Sequence, residues 1–225
     1  FFKISLTGAE MVKLAENASR NINIAFANEL ADIATAHGVN VWEVIQLANL
    51  HPRVHILNPG AGVGGHCIPV DPWFLIQDTQ APLNEMALRR NEEQPEKITD
   101  WIFSHIPKNR LHVKIALLGE AYKADCDDLR NAPTARIKEL LEQDEKISCV
   151  VHDPHTRPEL TLATALSNSD MAVILVAHNE YRNIDQSVFN VMRDKIVFDC
   201  CNVMWSSIKR AGVTLHRLGD TKAGE

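Results

Sequence analysis

The chain has 225 residues, of which 45% are hydrophobic and 23% charged, with a formal net charge of -6. That length accommodates two domains, each with a real core. The acidic balance gives no basic footprint for nucleic acid, and no apolar run approaches the roughly 20 residues of a membrane-spanning helix. Neither nucleic acid nor membrane is an expected partner. Phosphate ligands stay compatible with it, because a local Lys/Arg cluster suffices to bind them.

The opening Phe1-Phe2-Lys3 carries no Met and no secretory pattern, and it runs almost at once into an amphipathic helix. A piece starting inside a longer protein reads this way. The helix is expected from Ala9 to His37, with Val12, Ala15, Ile22, Phe26, Leu30 and Ile33 as its core stripe and Gly38 as a left-handed cap. Lys13 and Asn17 share one face of it, and Asn21 and Asn28 extend the polar line. A second helix follows over Val41 to Asn49, ended by His51-Pro52. From Arg53 to Pro72 runs a loop dense in Gly and Pro; helical patterning returns from Trp73 to Ile106, interrupted near Pro82.

Pro107-Lys108-Asn109 is the linker candidate, dividing a helical domain over 1–107 from an α/β domain over 108–225. Beyond it the period changes. Val113 to Gly119, Ile147 to Val151, Met171 to Ala177 and Lys195 to Cys200 read as strands, with Val213 to Leu215 as an edge strand. Thr134 to Gln143 and Leu160 to Ser167 read as the helices between them. Short apolar strands alternating with helices predict a doubly wound, Rossmann-like parallel sheet.

The five cysteines, Cys67, Cys126, Cys149, Cys200 and Cys201, are odd in number and include no C-x-x-C pair. This argues for a reducing, cytoplasmic compartment. Gly60-Ala61-Gly62-Val63-Gly64-Gly65 formally contains G-x-G-x-x-G. A dinucleotide fingerprint must follow a strand and open a helix, whereas Pro59, Pro69 and Pro72 frame this loop. Its glycines instead leave backbone open to close approach and present Cys67, with Asp71 one turn on. Such a cysteine is a nucleophile candidate if a cation acidifies it, and a structural cysteine beside a tight turn otherwise. His51, His55, His66 and Cys67 raise a metal reading, but zinc prefers tighter paired spacings, so no metal is expected.

Three stretches together carry a resemblance: Ala9-Glu10-Met11-Val12-Lys13-Leu14-Ala15-Glu16-Asn17, Ile24 to Glu29, and Gly62-Val63-Gly64-Gly65-His66-Cys67-Ile68-Pro69-Val70-Asp71-Pro72. Leu118-Gly119-Glu120-Ala121-Tyr122-Lys123, Asp127-Asp128-Leu129-Arg130 and Pro133 add to it. The chain resembles the UDP-glucose/GDP-mannose dehydrogenase family over nearly its whole length, and His51 to Phe74 is most similar to the UDP-N-acetyl-D-mannosamine branch. Three positions depart from the family pattern: Glu120, Asn131-Ala132, and Cys200-Cys201 within Asp199 to Asn202.

The resemblance implies the central and C-terminal parts of a three-part enzyme, with the NAD-binding domain lying outside this chain and a homodimer built through the first long helix. It implies two successive oxidations at C6 of a UDP-sugar with two NAD molecules, toward polysaccharide precursors. Cys67 would form the thiohemiacetal and thioester, Lys13 and Asn17 the oxyanion site, and Asp71 would orient water. Arg53, Gly64, Gly65, Lys123 and Arg130 would contact the nucleotide sugar, although Arg130 also suits a surface ion pair with Asp127 or Asp128. A non-catalytic nucleotide-sugar-binding or dimerisation module, or a dehydrogenase for UDP-N-acetylglucosamine or UDP-glucose, are the alternatives.

Overall fold

The computed structural model describes residues 3–204 and 212–220. Its first half is helical. α1 (Leu6–Ala36) starts three residues earlier than expected, because the Ser5 side chain accepts the Gly8 N–H and caps the first turn. It ends at Ala36, with Gly38 at φ +67°. α2 (Val41–Ala48) is capped by Asn40, whose side chain accepts from Trp42 and Glu43 N–H. α3 (Asp71–Ile76), α4 (Pro82–Glu92) and α5 (Gln94–His105) follow. Pro82, expected to interrupt a helix, opens one instead: the ring suits a first turn, where no N–H partner is lost. The expected interruption is there, over residues 77–81 between α3 and α4, and a second break falls at Glu93 between α4 and α5.

The second half is the expected parallel sheet. β1 (Val113–Leu118), β2 (Ile147–His152), β3 (Met171–Ile174), β4 (Ile196–Asp199) and β5 (Thr214–Arg217) pair in the order β2-β1-β3-β4-β5, every pair parallel. α6 (Pro133–Leu141) and α7 (Leu162–Leu166) cover it, with two pieces that periodicity does not reveal: α8 (Asn179–Arg182) and a 3-10 turn (Gln186–Val191). Strand alternation divides the core. Ile115 and Leu117 face Ile137 and Leu141 of α6 and Ile98 and Ile102 of α5. Ala116 and Leu118 face Leu166, Tyr181 and Phe189 on the other side. Ile98 and Ile102 are fully buried, about 1.5–3 kcal/mol of transfer energy each. α5 therefore belongs physically to the sheet's core as well as to the helical half.

The expected core face of α1 is corrected. Its buried residues are Asn17, Ala18, Asn21, Ala25, Ala27, Asn28, Ala31 and Ala34. Val12, Phe26 and Ile33, expected inside, are 51%, 46% and 46% exposed. Small side chains let α3 and α4 approach closely, and each buried amide makes one cross-contact: Asn17 Nδ2 donates to Asp71, Asn21 Oδ1 accepts from Asn91 and Asn28 Oδ1 from the Gly60 N–H, while Nδ2 of Asn21 and of Asn28 has no hydrogen-bond partner. The end of the described chain returns to the helices, where Val41 N–H donates to Gly219 O, Trp42 Nε1 to Leu218 O and Asn40 Nδ2 to Asp220 Oδ2.

Candidate active site

Strand order reverses between β1 and β3, and in open α/β sheets the crevice beyond the carboxyl ends of the strands at such a switch point takes the ligand. The connection from Gly119 to Ala132 leaves β1 at that edge and meets the glycine loop. Gly65 N–H donates to Arg130 O at 2.8 Å, and Asn131 Nδ2 donates to Gly65 O at 3.0 Å. A Cβ on Gly64 would stand 2.6 Å from Tyr122 Cβ and 2.8 Å from Asn131 O, so only glycine fits. Gly65, at φ +84°, lies against the Tyr122 ring. At its other end the loop is held by Asn28, through Gly60 N–H, and by Gln94, which donates to Gly60 O.

Past the glycines the chain turns. Val70 and Asp71 N–H both donate to Cys67 O, at 3.1 and 2.7 Å, and Asp71 begins α3 with Pro72 behind it. The half-buried Cys67 Sγ stands 3.1 Å from His66 Nδ1. Asn17 Nδ2 donates to Asp71 Oδ2 at 2.5 Å, and Asn17 Oδ1 accepts from Lys13 Nζ at 3.4 Å. So Lys13, Asn17, Asp71 and the Cys67 turn form one continuous polar chain across α1 and the loop. Lys13 is 64% exposed at its side chain and shares its ammonium with Glu16. The set can donate two hydrogen-bonding groups toward a developing oxyanion, hold a water on a carboxylate and present a thiol.

The basic candidates divide. Arg130 is an ion pair with Asp128, and its bonds hold the Asp128 carboxyl at about 2. Its own segment reaches the glycine loop, where Arg130 O accepts the Gly65 N–H. Lys123 Nζ lies 5.6 Å from the centre of the Tyr122 ring. Arg53 is not brought to these residues: it is exposed in the turn after α2, its backbone N–H donating to His51 Nδ1. Glu120 turns inward to a bidentate pair with Arg157 and accepts from Thr156, which lowers its carboxyl below the usual range. What the sequence reading misses is the clamp by Tyr122 and Asn131; the run of glycines signals a close neighbour without naming it.

The glycine loop does not fit a dinucleotide. Pro133 and Pro95 fill the space beside Gly62, and Tyr122 the space beside Gly64, where a pyrophosphate would need open backbone. Nor does the turn at Gly119 open directly into a helix, since α6 begins at Pro133. Among the described residues no helix is long and apolar enough to cross a membrane.

Two family models match the chain: the central domain of the UDP-glucose/GDP-mannose dehydrogenase family over residues 7–93, and the UDP binding domain of the same family over residues 116–206. A UDP-N-acetyl-D-mannosamine dehydrogenase of Methanococcus maripaludis is 42% identical over 94% of this chain and 52% of its own length. An NDP-N-acetyl-D-galactosaminuronic acid dehydrogenase of Ralstonia nicotianae is 40% identical over 88% of the chain and 48% of its own. Among solved structures, the UDP-D-ManNAc dehydrogenase of Pyrococcus horikoshii superposes with a TM-score of 0.86 at 37% identity, covering 95% of this chain and 52% of that one. The chain thus spans about half the length of the relatives it matches. Two family models in sequence order, together with these identities, place it: the chain belongs to the UDP-glucose/GDP-mannose dehydrogenase family.

Proposed function

We propose that this chain is the catalytic-cysteine and nucleotide-binding portion, helical over 1–107 and α/β over 108–225, of an NAD-dependent UDP-sugar 6-dehydrogenase. Its substrate is UDP-N-acetyl-D-mannosamine, oxidised to the uronic acid for polysaccharide precursors. The carrying observation is the polar chain that joins Lys13, Asn17, Asp71 and the Cys67 turn. NAD, as hydride acceptor, is held mainly by a domain outside these residues. Five unpaired thiols suit a cytoplasmic setting.

The residues' roles follow from their chemistry. Cys67 thiolate adds to the C6 aldehyde, converting a flat carbonyl into a tetrahedral thiohemiacetal that has a hydride to lose. Lys13 and Asn17 stabilise the oxyanion at each tetrahedral stage, each donor contributing about 3 kcal/mol. Asp71, already bonded to Asn17, orients the water that releases the acid from the thioester. Arg130 and Lys123 bind the diphosphate, which displaces Asp128 from Arg130, while Gly64 and Gly65 seat the loop against Tyr122 and Asn131 and so fix where Cys67 meets the sugar. Phe26 and Ile33, two turns apart and half exposed on α1, belong to the face that pairs with a second copy.

The test is Cys67→Ser in the complete enzyme, with NAD reduction and sugar products followed together. Aldehyde-level chemistry without acid is the expected result; unchanged acid production would sink the assignment. Because relatives act on differently configured sugars, a panel of UDP-N-acetylmannosamine, UDP-N-acetylglucosamine and UDP-glucose decides the substrate. The 225-residue chain alone should bind the UDP-sugar by calorimetry and give no turnover with NAD.

A further inference from the structure

A second polar cluster stands at the same edge of the sheet. Asp125, His155, His178 and Glu180 each offer one ligand atom to the cluster, all four atoms within 4.8 Å of one another. They come from three neighbouring strand exits: Asp125 from the β1–α6 connection, His155 from the turn after β2, His178 and Glu180 from the end of β3 and α8. We propose that this cluster is a binding site for a zinc-class divalent cation, with His155 Nε2, Glu180 Oε1 and Asp125 Oδ1 as ligands and His178 Nδ1 closing the fourth position.

Three observations carry it. The first is preparation of His178. Fully buried, it is fixed by Asp153, whose Oδ2 lies 2.9 Å from Nε2. A carboxylate on one ring nitrogen puts the proton there and turns the other nitrogen's lone pair toward the cluster, as metal-ligating histidines require. Asp153 is itself fixed, accepting from the backbone N–H groups of Glu120, Ala121, His155 and Thr156. The second is His155, whose Nε2 is buried and has no hydrogen-bond partner. A buried, unpaired ring nitrogen is costly unless something occupies it.

The third observation is spacing. His155 Nε2 stands 3.5 Å from Glu180 Oε1 and 3.9 Å from Asp125 Oδ1, and His178 Nδ1 stands 3.9 Å from the same Asp125 oxygen. These gaps are too long for good hydrogen bonds. A tetrahedral ion with bonds of about 2.0–2.1 Å sets its ligands roughly 3.4 Å apart; these three pairs need a few tenths of an ångström of contraction, and the widest pair of the cluster, within 4.8 Å, needs up to about 1.4 Å of side-chain movement. Mixed imidazole and carboxylate donors suit zinc over calcium or magnesium. His178 Nδ1 now accepts the Asp125 N–H at 3.0 Å, a bond that ligation would replace. Asn179 holds both Asp125 oxygens in place. The ion would pin the connection that also clamps the glycine loop, fastening the exits of β1, β2 and β3 together.

The experiment uses the 225-residue chain carrying Cys67→Ser, which removes the thiol beside His66 as a competing zinc site. Zinc is titrated by calorimetry, and cobalt by visible absorption. One equivalent should bind, with a tetrahedral cobalt spectrum, and the melting temperature should rise by about 5 °C at roughly a hundredfold excess over Kd. His155→Ala and Glu180→Gln, checked for an unchanged metal-free melting temperature, should each weaken binding at least about tenfold. No binding by the Cys67→Ser chain, or binding that neither variant weakens, overturns the proposal.

Discussion

Cys67 and Cys149 carry the same thiol in opposite surroundings. Burial, with Glu142 adding to it, pushes the Cys149 thiol up to about 12, and the fully buried Cys200 is pushed up as well. At pH 8 only about one Cys149 in 10,000 is then a thiolate, the form that reacts. Cys67, half-buried on its turn, is expected to take up iodoacetamide well before either. Peptide mapping by mass spectrometry reads the order, and labelling of Cys149 or Cys200 first would contradict it. Asn17 and Lys13 separate the same way. Lys13 is exposed, so Lys13→Ala should change stability by no more than about 0.5 kcal/mol while removing an oxyanion donor. Asn17 is buried against Asp71, and Asn17→Ala should cost about 1–3 kcal/mol in urea unfolding by leaving that carboxylate short of a donor.

Elements show where the sequence is legible and where it stops being so. The strands are readable because fully buried parallel strands are nearly continuous apolar runs: Met171 to Ile174 is apolar throughout, and Val113 to Leu118 is broken only by the partly buried Lys114. α1 is readable as a helix, but its inward face is not. Hydrophobicity ranks Phe26 and Ile33 inside, whereas close helix packing selects Ala, and Asn is admitted wherever a partner waits across the interface. Those partners, Asp71, Gly60 and Asn91, are distant in sequence, so no local window contains the signal. The candidate site was legible as residue types and spacing; what holds it was not. Gly64→Ala tests the clamp, since its Cβ would overlap Tyr122 and the Asn131 carbonyl. We expect a loss of about 1–3 kcal/mol by overpacking, with Cys67 labelled faster as the loop lifts. Stability and labelling both unchanged would show that Tyr122 and Asn131 yield freely.

Over the whole molecule, charge and burial set a pH range for folding. Burial lowers the imidazoles of His152 and His216 below their usual 6.5, with His105 adding to the effect at His216. For a base the sign is plain. Below pH 6.5 the unfolded chain takes up protons that the folded chain refuses, so stability falls as pH falls. Above 6.5 both states are neutral at these positions and the contribution vanishes. The carboxyls act lower down: Glu120 and Asp128 are depressed by Arg157 and Arg130, so the stability they lend is present above about 4.5 and lost as acid protonates them. Urea midpoints should accordingly be flat from pH 7 to 8, decline between 6.5 and 5, and drop faster below 4.5. His216→Phe separates the first decline from the second. Its ring meets Trp101 edge-on at 5.1 Å, a geometry that phenylalanine also adopts, so packing is kept while one titrating group is lost. A shallower slope between 6.5 and 5 with the low-pH drop unchanged is the expected outcome; an unchanged slope in that interval would assign the decline to other groups.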